Sequence, residues 1–132
     1  DIINQLFENP NVYLDCSYHP MVQQAIAMIM QDYQRPLTIE YVANELLVSQ
    51  YHFMHIFKQE TGKTFNNYLK DYRISVAIDL IKSGQYKIYE IGPMVGYTDV
   101  QYFHRVFKQQ TGLTPKKMAE SVLLPPPPPH NS

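Results

Sequence analysis

The chain has 132 residues, 45% of them hydrophobic, with eleven Tyr and six Phe but no Trp, which is enough for one domain or two very small modules sharing a core. Its single cysteine, Cys16, excludes an internal disulfide and a Cys-based zinc site, and it reads as an ordinary reduced thiol. The net charge of −1 hides an asymmetry: residues 1–50 hold one base and six acids, a net of −5, while residues 51–132 hold ten bases and six acids, a net of +4. Any footprint for a polyanion is therefore expected in the second part.

Residues 1–20 show no sustained period. A short helix at 2–8 is expected, followed by a turn-rich linker, "ENPNVYLDCSYHP". From Pro20 onward Val22, Ile26, Ile29, Met30 and Tyr33 fall on one helical face, and that helix should stop before Pro36. Thr38 is the expected N-cap of the next helix, with Ile39, Val42, Ala43 and Leu46 on its apolar face. After a break at Leu47 and Val48, Ser49 caps a helix whose inner face is Phe53, Ile56 and Phe57 and whose stop is Gly62. Thr64 opens the longest pattern, to about Lys82. It has two apolar stripes: Phe65, Tyr68, Leu69, Tyr72, Val76 and Leu80, then Ile74, Ala77, Ile78 and Ile81. A helix with two such stripes is buried on two sides. Arg73, between them, is expected to be an internal ion-pair or hydrogen-bond partner.

Gly84 closes that helix, and a short one follows from about Ile88 to Val95. Pro93 inside it should remove a hydrogen bond and kink or shorten it, at ~3 kcal/mol if unrelieved. Lys87 stands where a capping side chain is expected. A helix from Asp99 to Thr111 carries Phe103, Val106 and Phe107 inward and ends at Gly112. Thr114 and Pro115 read as N-cap and N1 of a last helix through about Val122. The closing "PPPPPHNS" is polyproline; a natural disordered tail and an appended remnant both fit it. The fold class is thus all-α, with about seven helices.

The chain writes one segment twice. "FMHIFKQETGKT" at 53–64 and "FHRVFKQQTGLT" at 103–114 agree at seven of twelve positions. Each copy sits in a helix, tight break, helix, glycine unit, the helix-turn-helix arrangement whose second helix can enter a major groove. The inner positions agree: Phe53 with Phe103, Ile56 with Val106, Phe57 with Phe107. The outer ones differ: Tyr51 with Gln101, Met54 with His104, His55 with Arg105. Only Lys58 and Lys108 match on that stripe, whose members are spaced i, i+3, i+4, i+7. A shared scaffold with a changed outer stripe suits two readers of two different short sequences. Arg105 could pair with guanine and Gln101 with adenine, while Tyr51, Met54 and Tyr102 could pack on thymine methyls. Lys58 and Lys108 suit phosphate, as do Ser49 and Thr98 beside the helix starts.

The segments "LTIEYVANELLVSQYHFMHIFKQETGKTFNNYL", "YRISVAIDLIKSG" and "IGPMVGYTDVQYFHRVFKQQTGLTP" resemble the DNA-binding domain of the AraC/XylS family of bacterial transcription regulators. The likeness runs from about Met21 to Met118. It implies two helix-turn-helix subdomains joined by a long central helix, bound to adjacent major grooves of double-stranded DNA, and usually activating transcription. Carried residue by residue, it places base contacts at Tyr51, Met54 and His55 and at Gln101, Tyr102 and Arg105. The expected layout is a stub of the connection to an N-terminal domain at 1–20 and the DNA-binding domain at 21–122. Within that domain the first helix-turn-helix lies at about 38–62, the linker helix at about 65–82 and the second helix-turn-helix at about 88–112. A Pro-rich tail occupies 123–132. An effector or receiver domain outside this chain and RNA polymerase are the further candidate partners. Two departures matter: Gly92 stands where the family usually has Ala, as the first copy has at Ala43, with Pro93 then inside the supporting helix, and Lys87 replaces the expected capping side chain.

No nucleophile-base pair, glycine-rich phosphate loop or metal cluster is visible, so an enzyme is not expected. His52 and His55 could face one metal, yet no third or fourth ligand lies nearby, and neither metal nor cofactor is expected. No apolar run is long enough to span a bilayer and no secretion signal is visible, so a cytoplasmic location without membrane contact is expected. The alternative reading is a helical protein-interaction module that keeps the scaffold but binds DNA weakly.

Overall fold

In the computed structural model, the described residues run from Tyr18 to Leu123 and form seven α-helices without a strand. The expected helix at 2–8, Cys16 and the polyproline end lie outside them. The first helix, α1, is Pro20–Asp32. Its start is built from proline at N1 and from the His19 ring, whose Nδ1 accepts the Met21 N–H at 3.0 Å. The His19 N–H in turn donates to Glu60 Oε2 at 2.9 Å. Met21, Val22, Ala25, Ile26 and Ile29 are buried. The helix ends at Asp32, before Pro36 as expected, and a side chain from elsewhere holds the exit. Arg73 donates from Nε to the Tyr33 carbonyl at 2.8 Å and from a terminal nitrogen to the Arg35 carbonyl at 2.9 Å. A cation on the last carbonyls of a helix also suits their dipole.

Helix α2, Ile39–Glu45, begins under Thr38, whose hydroxyl accepts the Tyr41 N–H at 3.0 Å. Helix α3, Gln50–Thr61, begins under Ser49, whose hydroxyl accepts the His52 N–H at 3.1 Å. Phe53 and Phe57 from α3 meet Phe65, at the start of α4, with ring centroids 5.4 and 5.6 Å away and steep ring angles. Such edge-on packing is the favoured geometry for aromatic pairs. Tyr68 closes on Phe57 at 5.5 Å. Burial pushes the Tyr68 and Tyr72 hydroxyls above the ordinary phenol range, with Tyr18 and Tyr72 adding to the first shift and Tyr33 to the second.

Helix α4, Phe65–Ser83, is the longest, with 19 residues. The chain divides into two compact units between Ser75 and Val76, inside this helix. Phe65 and Leu69 belong to the first core; Ala77 and Ile81 are buried farther along. The second unit continues with α5, Ile88–Met94, then α6, Val100–Thr111, and α7, Pro115–Leu123. Lys87 has no acceptor with which to cap α5. Glu90 supplies half of a capping box instead, its carboxylate accepting the Lys87 N–H at 2.9 Å. The expected shortening by Pro93 does not occur: α5 has seven residues, as α2 has. Tyr89, four residues before the proline and thus the residue whose carbonyl loses its partner, is exposed, as is Pro93.

The Thr-Gly-x-Thr repeat has a local explanation. The Thr61 hydroxyl donates to the Phe57 carbonyl at 2.8 Å and accepts the Lys63 N–H at 3.2 Å. Thr111 does the same with Phe107 at 2.8 Å and Leu113 at 3.1 Å. Gly62 and Gly112 take φ of 80° and 83°, a left-handed turn that favours glycine. The second threonine caps the next helix: Thr64 accepts from Asn67 at 3.1 Å and Thr114 from Lys117 at 3.2 Å.

Candidate nucleic-acid interface

Each unit presents one outward ridge on its second short helix. In the first unit Tyr51, Met54, His55 and Lys58 are all exposed, Tyr51 at 76% and Met54 at 43%. The Tyr51 and His55 rings lie parallel, 5° between planes and 6.1 Å between centroids, as i, i+4 neighbours can. In the second unit Gln101, Tyr102, Arg105 and Lys108 are exposed. His104 is different: it is half-buried and meets Phe103 edge-on at 6.0 Å. The stripe drawn at 101, 104, 105 and 108 is therefore narrower than its counterpart in the first unit. Lys58 and Lys108 stand in the last turns of α3 and α6.

The corner before each ridge is held by matching backbone bonds. Val48 donates to the Ala43 carbonyl at 3.1 Å and Leu47 to Asn44 at 3.2 Å. Tyr97 donates to the Gly92 carbonyl at 2.8 Å and Gly96 to Pro93 at 3.1 Å. The left-handed residue of the corner is Leu47 in the first unit, φ 60°, and Gly96 in the second, φ 102°. After the corner the units part. Ser49 follows Val48 directly, whereas Thr98 intervenes between Tyr97 and the capping residue Asp99. The second break is one residue longer. Supporting helices correspond at an offset of 49 residues and outer helices at 50.

That extra residue changes who caps. The sequence reading started the helix at Asp99; the helix starts at Val100, and the Asp99 carboxylate accepts the Tyr102 N–H at 3.1 Å. Sequence reasoning missed this role. The signal was present, since Asp99 stands 50 residues after Ser49 and both are strong N-cap types. Thr98, expected beside phosphate, is exposed in the inserted position. Ser49 is exposed too, and accepting the His52 N–H leaves its own proton for donation.

Gly92 is also explained by the corner. A Cβ there would stand 3.1 Å from Phe103 Cδ2 and 3.3 Å from the Tyr97 carbonyl oxygen. The Phe103 ring, stacked on Tyr97 at 5.8 Å and packed on Phe107 at 5.8 Å, would have to shift by a few tenths of an ångström to make room for a methyl.

A groove of about 390 Å³ borders the first ridge, lined among others by Ile39, Tyr51, Met54, Lys58 and Phe65. Among the described residues no cluster of three or more His, Cys, Asp or Glu could hold a metal, and no helix is long and apolar enough to cross a membrane.

Two helix-turn-helix units, each with an exposed ridge on the second helix of the pair, define a class of DNA-binding module. A family model described as "Helix-turn-helix domain" matches residues 42–121. The chain belongs to the AraC/XylS family of helix-turn-helix transcription regulators. It is 32% identical over 116 residues to the HTH-type transcriptional regulator AlkR of Acinetobacter baylyi, covering 88% of this chain but 38% of that protein. It is 29% identical over 99 residues to the regulatory protein SoxS of Escherichia coli, covering 75% of this chain and 92% of SoxS. The chain thus spans well under half the length of AlkR and nearly all of SoxS. Among solved structures, the C-terminal domain of AraT, a response regulator from Geobacillus stearothermophilus, superposes with a TM-score of 0.77 at 31% identity, covering 85% of this chain and 93% of that one. The DNA-binding domain of AdpA, solved in complex with a target DNA, shares the fold at a TM-score of 0.73 and 18% identity, over 78% of this chain and 93% of that one. The relatives are transcription regulators, not enzymes.

Proposed function

We propose that this domain binds a specific double-stranded DNA sequence by seating α3 and α6 in adjacent major grooves, and that it activates bacterial transcription in the cytoplasm. One observation carries the reading: two units share the capped starts and glycine stops of their outer helices and their aromatic cores, yet expose different ridges. If the ridges served only solubility, nothing would call for two such similar scaffolds. In this reading Arg105 pairs with guanine and Gln101 with adenine, and Tyr51, Met54, His55 and Tyr102 pack against bases. Lys58, Lys108, Ser49 and Thr98 meet phosphates. The spacer supports a two-groove arrangement. Helix α4, with 19 residues, is about 28 Å long at 1.5 Å per residue, close to the repeat of about 34 Å between successive major grooves on one face. The greater length of relatives such as AlkR supports an effector or receiver domain joined to this one, and RNA polymerase is the partner that activation requires.

Selection of a site from random DNA, followed by insertion of half a turn between its two halves, tests the arrangement. The insertion should abolish tight binding, because the second ridge then faces away. A site that tolerates it rules out two-groove binding.

A second reading, a protein-interaction module with weak DNA affinity, is favoured by the exposed Tyr51 and Met54 beside an apolar groove. A salt titration separates the two. Binding through phosphates gives a steep fall of affinity with salt, and its absence favours the second reading.

A further inference from the structure

The geometry points to Tyr102 as a positioning residue that pre-sets Arg105 for its base, a role that rests on the DNA-binding reading above. The Arg105 guanidinium carbon lies 5.6 Å from the centroid of the Tyr102 ring, within range of a cation-π contact. Tyr102 is itself held: the buried Tyr97 meets it edge-on at 5.8 Å and 61°. Tyr97 is fixed in turn by its stack on Phe103 and by its N–H bond to the Gly92 carbonyl. A chain of ring contacts thus runs from the core of the second unit out to the one arginine on its ridge. Tyr102 is 39% exposed, so much of its surface faces protein rather than DNA.

The physical gain is entropic. A free arginine loses most of its rotamer freedom when its fork is fixed on a base, and that ordering opposes binding. An arginine already laid against a ring has lost part of that freedom before DNA arrives. The first unit has no equivalent. The residue 50 positions before Tyr102 is His52, the one before Arg105 is His55, and His55 stacks on Tyr51 instead. Tyr102 therefore acts, through Arg105, on the preference at the base that Arg105 reads, a role separate from its own packing against a neighbouring base.

The test is a double-mutant cycle read as base preference at the position that Arg105→Ala relaxes. Tyr102→Leu should lower that preference about two- to five-fold, the range that an exposed cation-π contact supplies. It should lower it no further in the Arg105→Ala background. Tyr102→Phe, which keeps the ring, should restore what Tyr102→Leu loses. An equal loss on all sequences, or an equal loss of preference with and without Arg105, overturns the positioning role. The free domain gives an independent readout. Arg105 side-chain protons should resonate upfield in the parent relative to Tyr102→Leu, through the ring current, and unchanged resonances overturn the contact. A domain with no base preference at all sinks the DNA reading, and the resonance comparison then decides by itself whether the contact exists.

Discussion

The two outer helices, α3 and α6, have the same length, the same kind of cap and the same glycine stop, yet their ridges differ in chemistry. The α3 ridge is a stacked Tyr51–His55 pair with Met54; the α6 ridge is Arg105 over Tyr102, with Gln101 and a half-buried His104. The difference shows which constraints are shared. Buried rings, capping side chains and threonine latches fix where each helix starts, ends and faces, while the exposed positions are left to vary. The corners differ as well. The first strains a leucine where the second uses glycine, and the second adds Thr98 before its cap.

The strongest way to break the comparison is to remove the shared part. Phe57→Ala should destabilise the first unit by about 3–5 kcal/mol, because a fully buried ring leaves a cavity among Phe53, Phe65 and Tyr68. Phe107→Ala should do the same to the second. Hydrogen exchange on each variant checks this, and protection should fall first in the unit that carries the change. Equal loss in both units would show that they unfold as one.

Next in size is the ridge itself. Arg105→Ala should weaken binding to the selected site by about 1–3 kcal/mol and relax preference at one base position. His55→Ala, at the matching position of the first unit, should cost less, since an imidazole lacks the arginine's bidentate fork. Competition binding with single-base variants of the site checks both. A larger loss from His55→Ala would reverse the ranking of the two readers.

Much of this was legible in the sequence because it depends on spacing. Phe53 and Phe57, repeated as Phe103 and Phe107, fixed the inner faces, and Thr38, Ser49 and Thr114 announced the helix starts. What stayed hidden depends on contacts across the chain or on single-residue changes in turns. Arg73 showed that it would be an internal partner, but not that it would meet the Tyr33 and Arg35 carbonyls at the exit of α1. Thr98 was invisible as an insertion because the offset shifts from 49 to 50 inside a break, where no periodicity exists to betray it. Gly92 stood out as a departure from the family's Ala. It keeps a methyl from pressing on the Phe103 ring. Pro93 looked like a breaker, but a helix of two turns has few bonds to lose.

The corners supply a smaller test. Leu47 holds φ 60° while 91% exposed, so its side chain buries almost nothing in return for the left-handed backbone. Leu47→Gly should stabilise the first unit by about 1 kcal/mol, the steric cost of that conformation for a residue with a Cβ. Thermal or denaturant unfolding checks the sign. Destabilisation would mean that the leucine makes a contact worth more than the strain.

The smallest effect is expected where the two ridges agree. Lys58 and Lys108 occupy the same position in the last turn of each outer helix, and both are exposed. Among the described residues the only ion pairs are Arg35 with Asp32 and Lys63 with Asp71, so neither lysine is committed to a carboxylate. Each is therefore available to one phosphate. A phosphate contact releases a condensed counterion, so its loss should lower the slope of log K against log salt by about 0.9. Lys58→Ala and Lys108→Ala should each do this, weakening selected and random DNA by the same factor. Stability should barely move, because an exposed lysine at a helix end contributes only about 0.3–1 kcal/mol through the dipole. If only one variant changes the slope, the units do not press equally on the backbone. The shared lysine would then be a helix-end residue in one copy and a phosphate contact in the other.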